Sequence, residues 1–251
     1  MSGWLKVVGL GPGSDALITP EVSQILSEAT DIIGYFPYVA RVQKRPGLTL
    51  HGSDNRVELD RSKQALSLAA EGKKVAVVSS GDPGVFAMAA AVFEAIEQGP
   101  DQWCQLDIEV LPGITAMLAA SARAGAPLGH DFCAINLSDN LKPWHLIEKR
   151  LRLASEADFA MAFYNPRSKA RPDGFARALE ILKECCKDDR PVVFARAVST
   201  KDETLSIVGL SQTTADMADM RTMVIVGSSQ TRVISRVGQS AWVYTPRSVP
   251  E

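Results

Sequence analysis

Short apolar runs alternate along the chain with longer segments whose apolar positions recur at helical spacing. Leu5-Lys6-Val7-Val8-Gly9-Leu10 reads as a buried strand, ended by Gly11-Pro12-Gly13. Thr19-Pro20-Glu21 predicts a helix start. The Thr19 hydroxyl accepts from freed N–H groups, Pro20 suits the first helical position, and Glu21 favours the positive helix end. Asp31-Ile32-Ile33-Gly34 predicts the next strand. Arg61 to Glu71, with Ala65, Leu66, Leu68 and Ala69 at helical spacing, predicts a helix closed by Gly72. Val75-Ala76-Val77-Val78-Ser79 has the unbroken β-branched character of a central parallel strand, stopped by Gly81-Asp82-Pro83-Gly84. A buried, Ala-rich helix is expected from Val85 to Ile96. Asp107 to Leu111 predicts a strand ahead of Pro112-Gly113, and Ile114 to Ala124 a small-residue helix. Strand, glycine-containing turn and helix thus recur three times, which predicts an α/β half with right-handed crossovers.

Ala124-Gly125-Ala126-Pro127-Leu128-Gly129 is uncharged and rich in glycine, which marks a boundary between domains at 1–125 and 130–251. Further strands are expected at 132–137, 159–164, 191–195 and 222–227. A helix is expected over 174–186, and an additional strand, its antiparallel direction left open, at 205–208.

Composition narrows the class. The chain has 251 residues, 46% hydrophobic and 22% charged, which excludes a disordered or collagen-like chain and suffices for a sizeable core. A formal net charge of −2 leaves no general nucleic-acid footprint, although a local basic patch stays open. The four cysteines, Cys104, Cys133, Cys185 and Cys186, form no CxxC pair and no cluster with histidine. No metal site is expected, and the thiols suit a reducing compartment. The first residues lack the basic start and apolar run of a signal peptide, and no stretch of about 18 apolar residues occurs. A soluble, cytoplasmic protein without membrane contact is the expectation.

Several segments carry candidate chemistry. Gly9-Leu10-Gly11-Pro12-Gly13-Ser14 follows the first strand, where glycine lets a ligand approach the backbone. It departs from a dinucleotide fingerprint, because Ser14 replaces the third glycine and Pro12 lacks a donor. A plain tight turn and an adenosine-type site both remain open. Ser79-Ser80-Gly81-Asp82-Pro83-Gly84-Val85-Phe86 lies at the tip of the central strand, where open α/β sheets bind ligands; Asp82 suits ribose hydroxyls or an ammonium group, or simply closes an Asp-Pro-Gly turn. Thr115 in Leu111-Pro112-Gly113-Ile114-Thr115-Ala116 caps a helix or touches a ligand. Asn165-Pro166-Arg167-Ser168-Lys169-Ala170-Arg171-Pro172 is a basic loop suited to carboxylates or phosphates, or a solvated loop. Ser138 to His145 lines a cleft or leads into a helix near Pro143. His51, His130 and His145 lack metal-ligand spacing, and His130-Asp131 is a potential acid–base pair or an ordinary loop.

The order and spacing of Val8-Gly9-Leu10-Gly11-Pro12-Gly13, Ser80-Gly81-Asp82-Pro83 and Leu111-Pro112-Gly113-Ile114-Thr115-Ala116 resemble the S-adenosylmethionine-dependent tetrapyrrole methyltransferases over essentially the whole chain. Within that family, 79–88, 129–139, 163–168 and 226–232 look like the branch that methylates precorrin-3B at C17 and contracts the ring to precorrin-4 in cobalamin biosynthesis. The resemblance implies two α/β domains with a cofactor trough between them, and a homodimer. It does not imply the doubly wound methyltransferase fold. It places cofactor contacts at Pro12, Ser80, Gly81, Asp82, Val85, Thr115 and Ala116, with Asn165 and Ala197 as the matching positions of the second domain.

The implied methyl transfer from a sulfonium needs positioning more than a metal or an activated nucleophile. The ring contraction needs a general acid or base. His130, Asp131, Asp139 and Asp54 are the candidates, while Ser138, Asn140, Arg167, Lys169 and Arg171 are the candidates for binding the carboxylate-rich tetrapyrrole. Handover to neighbouring pathway enzymes is a further expectation. Competing readings are the cobalt-containing substrate of the anaerobic route, a diphthamide-type protein methylation, a nicotinamide oxidoreductase built on the Gly9–Ser14 loop, and a non-catalytic tetrapyrrole carrier.

Overall fold

The computed structural model describes residues 3–54 and 57–248. The chain divides into two compact units, Met1–Thr115 and Ala116–Glu251.

The first unit runs β1 (Trp4–Gly9), α1 (Pro20–Glu28), β2 (Asp31–Tyr35), a helical turn α2 (Phe36–Val39), β3 (Thr49–Ser53), α3 (Glu58–Ala70), β4 (Lys74–Ser79), α4 (Met88–Glu97) and β5 (Asp107–Leu111). Its sheet is parallel throughout, in the order β3-β2-β4-β1-β5. Leu5, Val7, Val75 and Val77 pack with residues of α3 and α4, whereas Val8, Ala76, Val78 and Ile32 pack with Val22 of α1. Helices therefore cover both faces of the central strands, which is why those strands carry no polar alternation. The α1 start follows the sequence: the Val22 N–H donates to Thr19 Oγ1 at 3.2 Å, with Pro20 in the first turn. α4 begins at Met88 rather than Val85, because Phe86 adopts φ +53 and a left-handed residue ends any helix that reaches it. β3 escapes the hydrophobic pattern because it is an edge strand with one neighbour and a half-exposed face.

The second unit runs α5 (Ala116–Ala124), β6 (Gly125–Ala126), β7 (Phe132–Asn136), α6 (Trp144–Glu156), β8 (Ala160–Tyr164), α7 (Gly174–Cys185), β9 (Pro191–Arg196), β10 (Thr204–Gly209), β11 (Thr222–Val226), β12 (Arg232–Arg236) and β13 (Gln239–Tyr244). Its main sheet has the order β10-β9-β11-β8-β7. β7 and β8 are parallel, β11 is antiparallel to both β8 and β9, and β10 is antiparallel to β9. Ile147 and Leu151 of α6 and Phe175, Leu179 and Leu182 of α7 close its core over Phe163, Phe194 and Val224. The Phe175 and Phe194 rings meet edge to face at 6.1 Å. β12, β13 and β6 form a separate small sheet. The division between the units falls at Thr115–Ala116, ahead of the expected glycine-rich boundary. The reason is local: α5 packs on β11 and β13, and Gly125-Ala126 pair in parallel with Val243 and Tyr244.

Candidate functional site

In the first unit the carboxyl ends of all five strands share one edge, and three glycine-bearing tips meet there backbone to backbone. The Gly11 N–H donates to the Gly81 carbonyl at 3.2 Å and the Gly81 N–H donates to the Gly11 carbonyl at 2.8 Å. Both residues are left-handed, with φ +66 and +65. A Cβ on Gly9 would stand 2.5 Å from the Gly81 oxygen, and one on Gly113 would stand 2.2 Å from it. Glycine is therefore required by close approach of the backbone at Gly9 and Gly113, and by the left-handed backbone at Gly11 and Gly81.

Asp82 both closes its turn and joins the motifs. Its Oδ1 accepts the Gly84 N–H at 2.8 Å and its Oδ2 accepts the Gly113 N–H at 3.0 Å. A carboxylate has about four acceptor sites, so capacity remains for a ligand hydroxyl. Pro12, Ser80 and Val85 are half-buried around these tips, and Thr115 is buried.

Two arginines on this edge carry no motif signal in the sequence. Arg41 donates from Nη2 to the Leu10 carbonyl at 2.6 Å and from Nη1 to the Gly11 carbonyl at 3.2 Å, fastening the first loop from beneath. Arg61 is 3% exposed and donates to Ser53 Oγ at 2.9 Å and to the Asp54 carbonyl at 2.5 Å. Burial lowers its guanidinium pKa, against the charges of Glu58, Tyr38 and Asp54. Asp54 itself is exposed at the carboxyl end of β3.

In the second unit Asn165 and Ala197 follow β8 and β9 at the same end of the sheet and are both left-handed, with φ +52 and +50. Non-glycine residues held there store strain, and such strain clusters at ligand sites. Asn165 Nδ2 donates to Asn136 Oδ1 at 3.1 Å, and the Ser138 N–H donates to the same oxygen at 2.9 Å. The Ala197 N–H donates to the Arg221 carbonyl at 2.8 Å, and its carbonyl accepts the Thr200 hydroxyl at 2.8 Å. Ala116 opens α5, where the Met117 N–H donates to Tyr164 Oη at 3.3 Å.

The basic loop is folded on itself: Ser168 and Arg171 exchange backbone hydrogen bonds at 3.2 and 3.1 Å, leaving Lys169 exposed at the tip. Arg171 turns back toward the Asn165 carbonyl, 3.5 Å from Nη1, and Arg167 is half-buried. Asp139 and Asn140 are exposed in the loop after β7, at the Asn165 end of the sheet.

His130 and Asp131 lie elsewhere. They precede β7, which pairs Phe132 with Ala160 and Asn136 with Tyr164. The length of that strand, about 13 Å, separates them from Asn136 and Asn165. They line a cavity of about 200 Å³ with Asp158, Ser228, Gln230 and Thr245. The three acid–base candidates of the second unit therefore do not share one site: Asp139 stands at the Asn165 end and the His130-Asp131 pair at the opposite end, because the intervening strand runs between them, while Asp54 belongs to the first unit. Among the described residues, no group of three or more histidine, cysteine, aspartate or glutamate side chains gathers as a metal cluster. None of the helices there is long and apolar enough to cross a membrane.

Comparison with known proteins decides the family. Residues 5–213 match the tetrapyrrole (corrin/porphyrin) methylase model. The chain belongs to the tetrapyrrole methylase family. It is 54% identical to a Sinorhizobium protein named precorrin-3B C(17)-methyltransferase, over 98% of this chain and 97% of the relative. It is 38% identical to a Salmonella typhimurium protein named probable cobalt-factor III C(17)-methyltransferase, over 97% and 98%. The crystal structure of the methyltransferase CobJ superposes with a TM-score of 0.93 at 64% identity, covering 98% of this chain and all of that one. The fold so placed is that of the family, and the chain is a methyltransferase.

Proposed function

We propose that this methyltransferase acts on precorrin-3B, adding a methyl group at C17 and contracting the macrocycle to precorrin-4 in cobalamin biosynthesis. The observation that carries the reading is the full-length similarity to the Sinorhizobium protein of that name, at 54% identity. The lower identity to the Salmonella protein, 38%, favours the metal-free over the cobalt-containing substrate.

The chain fits an adenosyl methyl donor on its own geometry. The first-unit edge offers a backbone surface freed of side chains at Gly9, Gly81 and Gly113, and the second unit holds two strained strand ends. On the first unit Pro12, Ser80, Gly81, Asp82, Val85 and Thr115 would hold S-adenosylmethionine; on the second, Ala116, Asn165 and Ala197. When bound, the donor supplies a sulfonium methyl open to attack by a nucleophilic carbon. The protein's part in that step is orientation, since no nucleophilic side chain is required of it. Ring contraction calls for a proton acceptor, and Asp54 and Asp139 stand at the carboxyl ends of their strands to serve. Arg167, Lys169 and Arg171 offer cations to the substrate's carboxylates.

The test is an anaerobic reaction of purified protein with S-adenosylmethionine and precorrin-3B, followed by mass and absorption spectra. One added methyl with the spectral change of ring contraction is expected. Turnover of only the cobalt-containing analogue would overturn the choice of substrate.

A further inference from the structure

The loop between β7 and α6 combines features that its own fold does not use. Leu141 is 91% exposed, while its neighbour Lys142 is half-buried and donates from Nζ to the Ser138 carbonyl at 3.0 Å. That bond uses one of the ammonium's three donors. The loop is pinned at its base, where Asn136 Oδ1 accepts both the Ser138 N–H and Asn165 Nδ2. Asn165 in turn receives Arg171 at its carbonyl. The loop and the basic segment 165–171 are thus fastened to one side chain, and their cations are held near one another.

The crowding has a cost in the free protein. Burial first, and then the charges of Arg150 and Arg171, hold the Lys142 ammonium below its ordinary pKa, with Asp139 opposing. Two neighbouring cations repel the Lys142 ammonium and Asp139 attracts it, so negative charge from outside would be favoured there. A lone exposed leucine carries no message by itself. Set beside Lys142 and Arg171, the 91% exposed Leu141 completes a surface for a ligand with an apolar face and an anionic rim.

We propose that this loop is the substrate-reading element: Leu141 packs on the face of the macrocycle while Lys142, together with Arg171, binds its peripheral carboxylates. The inference rests on the tetrapyrrole reading above. It gives Ser138 a different part from direct contact, since its carbonyl orients Lys142.

The experiment uses the intact protein with uroporphyrin, a stable tetrapyrrole octacarboxylate, and separately with S-adenosylhomocysteine. Lys142→Met is expected to weaken uroporphyrin binding about tenfold, the loss of one charge-assisted hydrogen bond. The same substitution is expected to leave S-adenosylhomocysteine affinity unchanged and to hold or raise Tm, because it relieves repulsion. Lys142→Arg keeps uroporphyrin affinity, and Leu141→Ser weakens it with no loss of Tm. Equal weakening by Lys142→Met and Lys142→Arg, or no weakening by Lys142→Met, overturns the inference and leaves the tetrapyrrole reading standing. Wild-type protein that binds S-adenosylhomocysteine but no tetrapyrrole carboxylate overturns both.

Discussion

Asp82 Oδ2 accepts the Gly113 N–H at 3.0 Å, so the carboxylate that shapes the turn after β4 also secures the tip of β5. A residue that reads in the sequence as a ligand contact is at the same time a brace between two motifs. On the proposed reading its removal is expected to have two separable effects, one on stability and one on cofactor affinity.

Asp82→Ala strips the acceptor from the Gly84 and Gly113 N–H groups. Stability is expected to fall by about 1–3 kcal/mol, read as a lower urea midpoint at constant m-value. Asp82→Asn keeps one acceptor oxygen and is expected to lose less. S-adenosylhomocysteine affinity, measured by calorimetry, falls in both.

Gly113→Ala and Gly47→Ala make a contrasting pair. The first puts a methyl 2.2 Å from the Gly81 carbonyl oxygen, a contact only a backbone shift relieves. The second has φ +77 but no atom within 4 Å, so it bears only the conformational cost of about 1–2 kcal/mol. Expected outcomes are loss of S-adenosylhomocysteine binding for Gly113→Ala and a modestly lower Tm with normal binding for Gly47→Ala.

The acid–base candidates separate by position. Asp139→Asn is expected to slow ring contraction at least about tenfold in single turnover, while methyl transfer continues. His130→Ala and Asp131→Asn are expected to change neither step, since both residues sit a strand's length from Asn136. Rapid-quench mass spectrometry, which resolves methylated from contracted product, checks this. A contraction defect in His130→Ala would restore that pair as the candidate.

Alkaline stability follows from Lys6 and Tyr38. Burial pulls the Lys6 ammonium down, but hydrogen bonds and charge from Asp107 and Glu109 outweigh it, and the net pKa is raised above 10.5. Burial raises the Tyr38 phenol above 10.0. In both cases the folded state holds its proton more tightly than the unfolded chain. The stabilisation is fully present below pH of about 10 and is lost as pH rises through the folded values. Lys6→Met is expected to flatten the decline, seen by comparing urea midpoints across the alkaline range.

The sequence and the structure agree where burial dictates residue type. β1 and β4 lie between helix layers, so they had to be written in valine, leucine and alanine, and they are legible. β3 pairs on one side only, so Thr49-Leu50-His51-Gly52-Ser53 satisfies it without an apolar run. The direction of β11 is hidden for another reason: Thr222-Met223-Val224-Ile225-Val226 is buried on both faces whichever way it runs. At the candidate site, glycines and Asp82 were visible because turns demand particular residues. Arg41 was not, because it reaches a carbonyl 31 residues back in the chain, and Arg61 was not, because it reaches off its own helix to Ser53 and the Asp54 carbonyl, and no spacing motif records either contact.

The contact among Gly9, Gly81 and Gly113 has a mechanical consequence. With no side chain between the three tips there is no slack to take up movement, so this edge behaves as a weld and not as a hinge. A ligand resting on it would meet a surface that is already in its final shape.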